Sequence, residues 1–272
     1  MAATGASVER WRSALEPLLA DPGSAAVLCD LDGTIAPIVA RPGLVAVPAR
    51  ARRALELVAG RFGLCAIVTG RRPEVAREIV GLDEIAYAGN HGFELLVPGA
   101  SVPMASPALE GHLDDVADFV RSHVDPEVLA GAGVRLEDKG PIMALHWRGV
   151  GDEAEAERVV GEVADSATGH GLAVHHGRKV VELRPSVEID KGVAIAALVD
   201  AAPVRAALYA GDDRTDLDGF GALARMREEG RLDHVVRVGV RSPEGPRELT
   251  EAADLVVADP GEVADLLVAL GG

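Results

Sequence analysis

The chain has 272 residues, 48% of them apolar, 26% charged and 3% aromatic, which is enough to bury one sizeable core or two smaller ones and rules out disorder along the whole chain. Lys and Arg number 27 against 43 Asp and Glu, and the resulting net charge of −16 argues against nucleic acid or an anionic membrane as a partner. Cys29 and Cys65 stand inside apolar runs with no neighbouring Cys or His, as buried small hydrophobes of a reducing compartment do.

No segment approaches the ~18–20 consecutive apolar residues of a membrane span, and Glu9, Arg10, Arg12, Glu16 and Asp21 stand where a signal peptide would be apolar. A soluble cytoplasmic protein is expected, and a monomer. Only Lys139, Lys179 and Lys191 are lysine among the 27 basic residues, so a lysine here is a candidate for chemistry that a guanidinium fork does not perform.

Short apolar runs stand at 25–30, 64–70, 84–89, 206–213, 235–240 and 253–259, and all but 235–240 end in Asp or Gly, the pattern of parallel strands buried on both faces with functional loops at their carboxyl ends. Helical spacing of Ala51, Ala54, Leu55 and Val58 predicts a helix over 48–60, and 74–80 repeats the pattern. This alternation predicts an α/β fold with a doubly wound, Rossmann-like parallel sheet whose ligand sits at the strands' carboxyl edge. Between the third and fourth strands the texture changes. A helix over 107–124, the hairpin VRLEDKGPIMALHWR, a helix over 153–167 and the hairpin LAVHHGRKVVELRP read as an inserted α+β domain over 105–185, leaving 1–104 and 186–272 as the core.

The sharpest signal is Cys29-Asp30-Leu31-Asp32-Gly33-Thr34, where two carboxylates leave a strand end and a glycine lets the chain turn. One carboxylate suits a nucleophile and its neighbour a proton carrier. A calcium loop also opens D-x-D-G, but it needs an acid at its twelfth position, which is Arg41, and a helix before it. Gly211-Asp212-Asp213-Arg214-Thr215-Asp216-Leu217-Asp218 supplies a second acidic cluster at the same predicted edge, offering with Asp30 the hard oxygens that Mg2+ prefers. Thr69-Gly70-Arg71 at another strand end offers a hydroxyl and backbone N–H groups to a phosphate, and Lys191-Gly192 offers a point charge.

The set D-x-D-G-T, T-G-R, K-G and G-D-D-x-x-D resembles the haloacid dehalogenase superfamily of phosphohydrolases along essentially the whole chain. The resemblance implies that Asp30 attacks phosphorus to form an aspartyl-phosphate and that Asp32 protonates the leaving alcohol and then activates water. It implies that Thr69 and Lys191 hold the phosphoryl group, with Gly70 and Arg71 beside them. Magnesium is then held by the Asp30 carboxylate, the Asp32 carbonyl and Asp212, supported by Asp213 and Asp216.

In the insert, strand alternation places Arg135, Glu137 and Lys139 on one face and Val134, Leu136 and Asp138 on the other; His146 and Arg148 oppose Met143, Leu145 and Trp147; and Arg178, Val180, Glu182 and Arg184 share a face. Such a face suits hydroxyls and charge. The strings Gly89-Asn90-His91-Gly92, LEDK…HWR, G-x-x-V-x-E-x-R-P, K-G and GDDRTD are similar to those of trehalose-6-phosphate phosphatases. That similarity implies that Glu137, Lys139, His146 and Glu182 bind the disaccharide of trehalose 6-phosphate, the small-molecule partner, and that Asn90 and His91 line the cavity between domains. Two positions depart from the family: Arg178 and then Lys179 follow the hairpin glycine, where lysine is usual directly after it, and Leu217 replaces an acid. Two other readings compete: another sugar-phosphate phosphatase or phosphomutase, and a non-catalytic phosphoacceptor or sugar-phosphate sensor, against which Asp32 argues because storage needs no acid/base neighbour.

Overall fold

The structure is a computed structural model and describes residues 5–39, 42–242 and 245–272, so Arg41 lies outside the described residues. The first part of the chain runs α1 (Gly5–Ala20), β1 (Ala25–Cys29), α2 (Ala49–Ala59), β2 (Leu64–Val68), α3 (Pro73–Val80), β3 (Ala86–Gly89), β4 (Glu94–Leu96) and β5 (Met104–Ala105). There follow α4 (Asp115–His123), α5 (Pro126–Gly131), β6 (Arg135–Asp138), β7 (Met143–His146), α6 (Glu153–Gly169), β8 (Ala173–Gly177) and β9 (Val180–Arg184). The last part is α7 (Lys191–Asp200), β10 (Ala206–Gly211), α8 (Asp216–Glu228), β11 (His234–Val240), α9 (Arg247–Ala252), β12 (Leu255–Val257) and α10 (Pro260–Gly271). Two compact units result, one of Met1–Ala105 with Ile189–Gly272 and one of Ser106–Glu188.

The first unit is an eight-stranded sheet in the order β12-β11-β10-β1-β2-β3-β4-β5, parallel from β12 through β3 and antiparallel at β4 and β5. Its central strands are buried on both faces because the side chains alternate between two cores. Val27, Cys29, Leu208 and Ala210 join Trp11, Leu55, Val58 and the apolar face of α10, whereas Leu28, Ala207 and Tyr209 join Ile195, Leu198, Phe220 and Leu223 of α7 and α8. That is the doubly wound architecture expected. Both cysteines are free and buried, and burial pushes their thiols up in pKa, Cys65 to about 12. Because β1 lies between β10 and β2, the chain reverses its winding direction there, and that switch point is where a doubly wound sheet opens a crevice at its carboxyl edge.

The second unit is a four-stranded antiparallel sheet, order β6-β7-β9-β8, whose apolar face carries Leu145, Val181 and Leu183 onto Val116, Phe119, Val159 and Val160 of α4 and α6. The predicted helix over 107–124 is corrected. Gly111 takes φ +82°, which interrupts the run, so a short 3-10 turn at Pro107–Leu109 precedes α4, and α5 follows as a second helix. No helix among the described residues is long and apolar enough to cross a membrane.

Candidate active site

The turn after β1 is built around one glycine. Asp30 N–H donates to the Ala210 carbonyl at 2.8 Å, continuing the sheet, and the chain then turns through Gly33 at φ +85°. A Cβ on Gly33 would lie 2.1 Å from Asp212 Oδ2, and Thr34 Oγ1 donates to Asp212 Oδ1 at 3.2 Å. The glycine and threonine of the motif therefore seat the first aspartate of the distant acidic cluster. Gly33→Ala is expected to displace Asp212 and to lower stability by about 1–2 kcal/mol from the positive φ. Urea unfolding combined with the Mg2+ dependence of thermal stability checks both effects.

Asp30 and Lys191 are buried, and Lys191 Nζ donates to Asp30 Oδ1 and Asp216 Oδ1, each at 2.7 Å. Asp190 caps α7 by accepting from Val193 N–H at 2.8 Å, which fixes the first turn that carries Lys191. Asp216 has no lone pair to spare. Its Oδ1 also accepts from the buried Tyr209 hydroxyl, and its Oδ2 accepts the Asp212 and Asp213 N–H groups at 2.9 Å. No hydrogen bond reaches Asp30 Oδ2 among the described residues, so one oxygen of this carboxylate is anchored and the other is available.

Carboxylate oxygens of Asp30, Asp212 and Asp216 lie within 4.8 Å of one another. Burial raises Asp30 well above the carboxylate range, Lys191 only partly countering it, and burial with the Asp216 charge pushes Asp212 up to about 7. Lys191 is raised as well, because Asp216 and Asp30 outweigh its burial. Three buried carboxylates against one ammonium leave excess negative charge that a hard divalent cation would neutralise, and an all-oxygen donor set fits Mg2+. With Asp216 saturated, Asp30 and Asp212 are the carboxylates free to hold it. Asp213 is exposed and turned to the Arg214 N–H at 2.6 Å, Asp218 is exposed, and Leu217 packs against the α7–α8 core.

Asp32 is held by Arg71 through two hydrogen bonds, Nε to Oδ2 at 2.6 Å and Nη2 to Oδ1 at 2.7 Å. Thr69 is buried, its hydroxyl accepting from Arg71 N–H at 3.2 Å. A Cβ on Gly70 would lie 2.5 Å from His91 Nε2, so this position lets the Thr69 loop and the Asn90-His91 turn close on each other. Asn90 and His91 both take positive φ, and Asn90 Nδ2 donates to Glu94 Oε2 at 2.5 Å.

In the inserted unit, strand register lines up Glu137, Ala144, Glu182 and His175 across all four strands on the polar face. Lys139 Nζ donates to Glu182 Oε1 at 2.7 Å, the buried Arg184 donates to Glu182 Oε2, and His146 Nε2 donates to Glu137 Oε2 at 2.7 Å. Burial lowers the pKa of His146, with Arg135 adding to the shift against Glu137. Arg178 and Lys179 occupy the β8–β9 turn instead of the strand face, where Lys179 takes φ +60° and its Nζ pairs with Glu153 at 3.1 Å. Tyr209 and His175 were not singled out by motif; only tertiary contacts and register place them with these groups.

Although burial opposes it, Lys139 and Arg184 pull the Glu182 pKa down to about 2. A depressed carboxylate stabilises the fold fully above its unfolded pKa and loses that contribution as pH falls through the folded value. The stability advantage of the wild type over Glu182→Gln is therefore expected to narrow as pH drops from about 4.5 toward about 2. Urea midpoints of both proteins at pH 7 and at about pH 3.5 test this, and a constant difference would refute it.

The trehalose-phosphatase family profile matches residues 28–252. Trehalose 6-phosphate phosphatase RA3 from Zea mays is 32% identical over 285 aligned positions, covering 96% of this chain and 74% of the relative. Against the first three curated plant relatives the chain spans 64–74% of their length. Among solved structures, the C-terminal domain of a trehalose-6-phosphate phosphatase from C. albicans superposes with TM-score 0.69 at 20% identity, covering 96% of each chain. A haloacid dehalogenase-like hydrolase from Bacteroides thetaiotaomicron gives TM-score 0.59 at 16% identity over 89% of this chain and 98% of its own, a likeness of fold alone. By profile, identity and fold, this chain belongs to the trehalose-phosphatase family, phosphatases built on the haloacid dehalogenase-like fold.

Proposed function

We propose that this protein hydrolyses trehalose 6-phosphate to trehalose and phosphate in an Mg2+-dependent reaction, as a cytoplasmic monomer acting on a small molecule. The observation that carries the chemistry is Asp30, buried at the switch point with Oδ1 anchored by Lys191 and Oδ2 unengaged. Oδ2 attacks phosphorus, the P–O bond to the sugar breaks, and an aspartyl-phosphate forms. Asp32, oriented by Arg71, gives a proton to the departing hydroxyl oxygen; it then takes one from water as water attacks the same phosphorus and frees Asp30. Lys191 and Thr69 hold the phosphoryl oxygens. Asp30, the Asp32 carbonyl and Asp212 would hold Mg2+, which when bound would supply positive charge against the phosphoryl oxygens. Asp213 and Asp216 support this set. Glu137, Lys139, His146 and Glu182 receive the disaccharide hydroxyls, with Asn90, His91, Gly70 and Arg71 as further contacts, and residues 105–185 act as the specificity domain.

Phosphate release from trehalose 6-phosphate, measured beside glucose 6-phosphate, sucrose 6-phosphate and mannose phosphates at equal concentration, tests the reading. Strong preference for trehalose 6-phosphate is expected. Preference for another sugar phosphate would retain the core chemistry and overturn the specificity reading, and no release from any would favour the sensor. EDTA is expected to silence the reaction and excess Mg2+ to restore it; full activity in EDTA would remove the acidic cluster from catalysis.

A further inference from the structure

The helix layer of the inserted unit carries a histidine pair that the phosphatase reading does not use. His123 is the last residue of α4 and His170 caps α6, and their rings meet with centroids 4.1 Å apart, while Phe119 stacks on His123 at 5.2 Å and 14°. Both rings are pinned in the same way. His123 Nδ1 lies 3.2 Å from the Phe119 carbonyl oxygen, and His170 Nδ1 lies 2.7 Å from the Ser166 carbonyl oxygen, each four residues back along its own helix. A carbonyl oxygen only accepts, so each Nδ1 carries the proton and each neutral ring keeps its lone pair on Nε2. Metal-bound imidazoles show this arrangement, one nitrogen donating to the backbone and the other ligating.

Two more features favour a cation at this place. Both histidines sit at helix C-termini, where the unpaired carbonyls carry partial negative charge. Both also line a cavity of about 390 Å3 whose wall includes Asp115 and Asp118. Those carboxylates are engaged locally, Asp115 by His112 Nδ1 at 2.8 Å and Asp118 by Arg121. They therefore shape the potential and do not themselves converge on the rings. Among the described residues only Asp30, Asp212 and Asp216 bring three carboxylate, His or Cys ligand atoms together, so the histidine pair offers two protein nitrogens, with water completing the coordination.

We infer that His123 and His170 form a two-imidazole site for a borderline divalent metal of the Zn2+, Ni2+ or Cu2+ class. Ligand chemistry separates it from the acidic cluster: hard Mg2+ prefers the carboxylate oxygens, and the later transition metals prefer imidazole nitrogen. A bound ion would tie the C-terminal end of α4 to that of α6, three residues before β8 begins. The inserted unit would then be stiffened by a metal the hydrolytic chemistry does not need.

Cu2+ titrated into the full chain with Mg2+ in excess, followed by electron paramagnetic resonance, tests the inference. One Cu2+ per chain with splitting from two imidazole nitrogens is expected, and Zn2+ should raise the melting temperature. His170→Gln should leave one nitrogen and weaken binding on the order of tenfold or more, since the second ligand acts at high effective concentration. His123→Asn should do the same independently, covering the case in which one variant does not fold. The double variant His175→Gln/His176→Gln should leave the two-nitrogen Cu2+ signal unchanged. A two-nitrogen signal that survives both His123→Asn and His170→Gln, a signal lost only in the His175/His176 variant, or no Cu2+ bound would overturn the site.

Discussion

Asp30→Asn is expected to lower phosphate release from trehalose 6-phosphate by on the order of 10^4-fold or more, because the amide has no anionic oxygen with which to attack phosphorus. The chain should still fold. Asn matches Asp in shape, and the substitution removes one of three buried carboxylates crowded around a single ammonium, while Lys191 keeps its 2.7 Å contact to Asp216. Burial already raises the Asp30 pKa well above the carboxylate range, so losing this charge relieves repulsion in the metal-free protein. The metal-free melting temperature of the variant should equal or exceed that of the wild type, and Mg2+ should raise it less. Activity within about tenfold of wild type would place the nucleophile elsewhere, and an unfolded variant would make Asp30 a structural residue.

The core was legible because each motif closes a short apolar run, and strand ends are where a parallel sheet presents function. Asp30, Thr69 and Asp212 follow β1, β2 and β10 directly, so reading the runs located the residues. What stayed hidden depends on contacts between distant segments. Thr34 reaches Asp212 across 178 positions, Arg71 reaches Asp32 across 39, and nothing local marks either partner. The saturation of Asp216 was equally invisible: its spacing from Asp212 suggests a metal ligand, whereas the donors gathered around it make it the post that aligns Lys191 with Asp30. Tyr209 reads as one more apolar residue in a buried strand until its hydroxyl meets Asp216. In the insert, alternation carried Arg178 onto a strand face although it lies in the β8–β9 turn, and helical spacing overran Gly111, since periodicity does not register a backbone that must turn. The register that sets His175 opposite Glu182 comes from pairing across two strands, which single-strand alternation does not contain.

Glu182→Gln should reduce kcat/KM for trehalose 6-phosphate by about 10^2-fold or more while changing hydrolysis of a generic aryl phosphate by no more than about threefold. Glu182 sits in the third strand of the inserted sheet, far along the chain from the Asp30 loop. Its charge is held by Lys139 on one side and Arg184 on the other, at 2.7 Å and 3.1 Å for the Oε1 and Nε contacts, so its oxygens are fixed in direction before substrate arrives. A carboxylate so placed accepts from sugar hydroxyls more strongly than a neutral amide, whose NH2 would also turn a donor toward the cationic side chains. Glutamine is the informative replacement. Alanine would leave Lys139 and the buried Arg184 without their anion and would destabilise the unit by about 3–5 kcal/mol, confusing a loss of recognition with a loss of fold. An aryl phosphate has no sugar hydroxyls, so its turnover reports only the Asp30 chemistry. Equal losses on both substrates would mean that the polar face of the inserted sheet does not select the sugar.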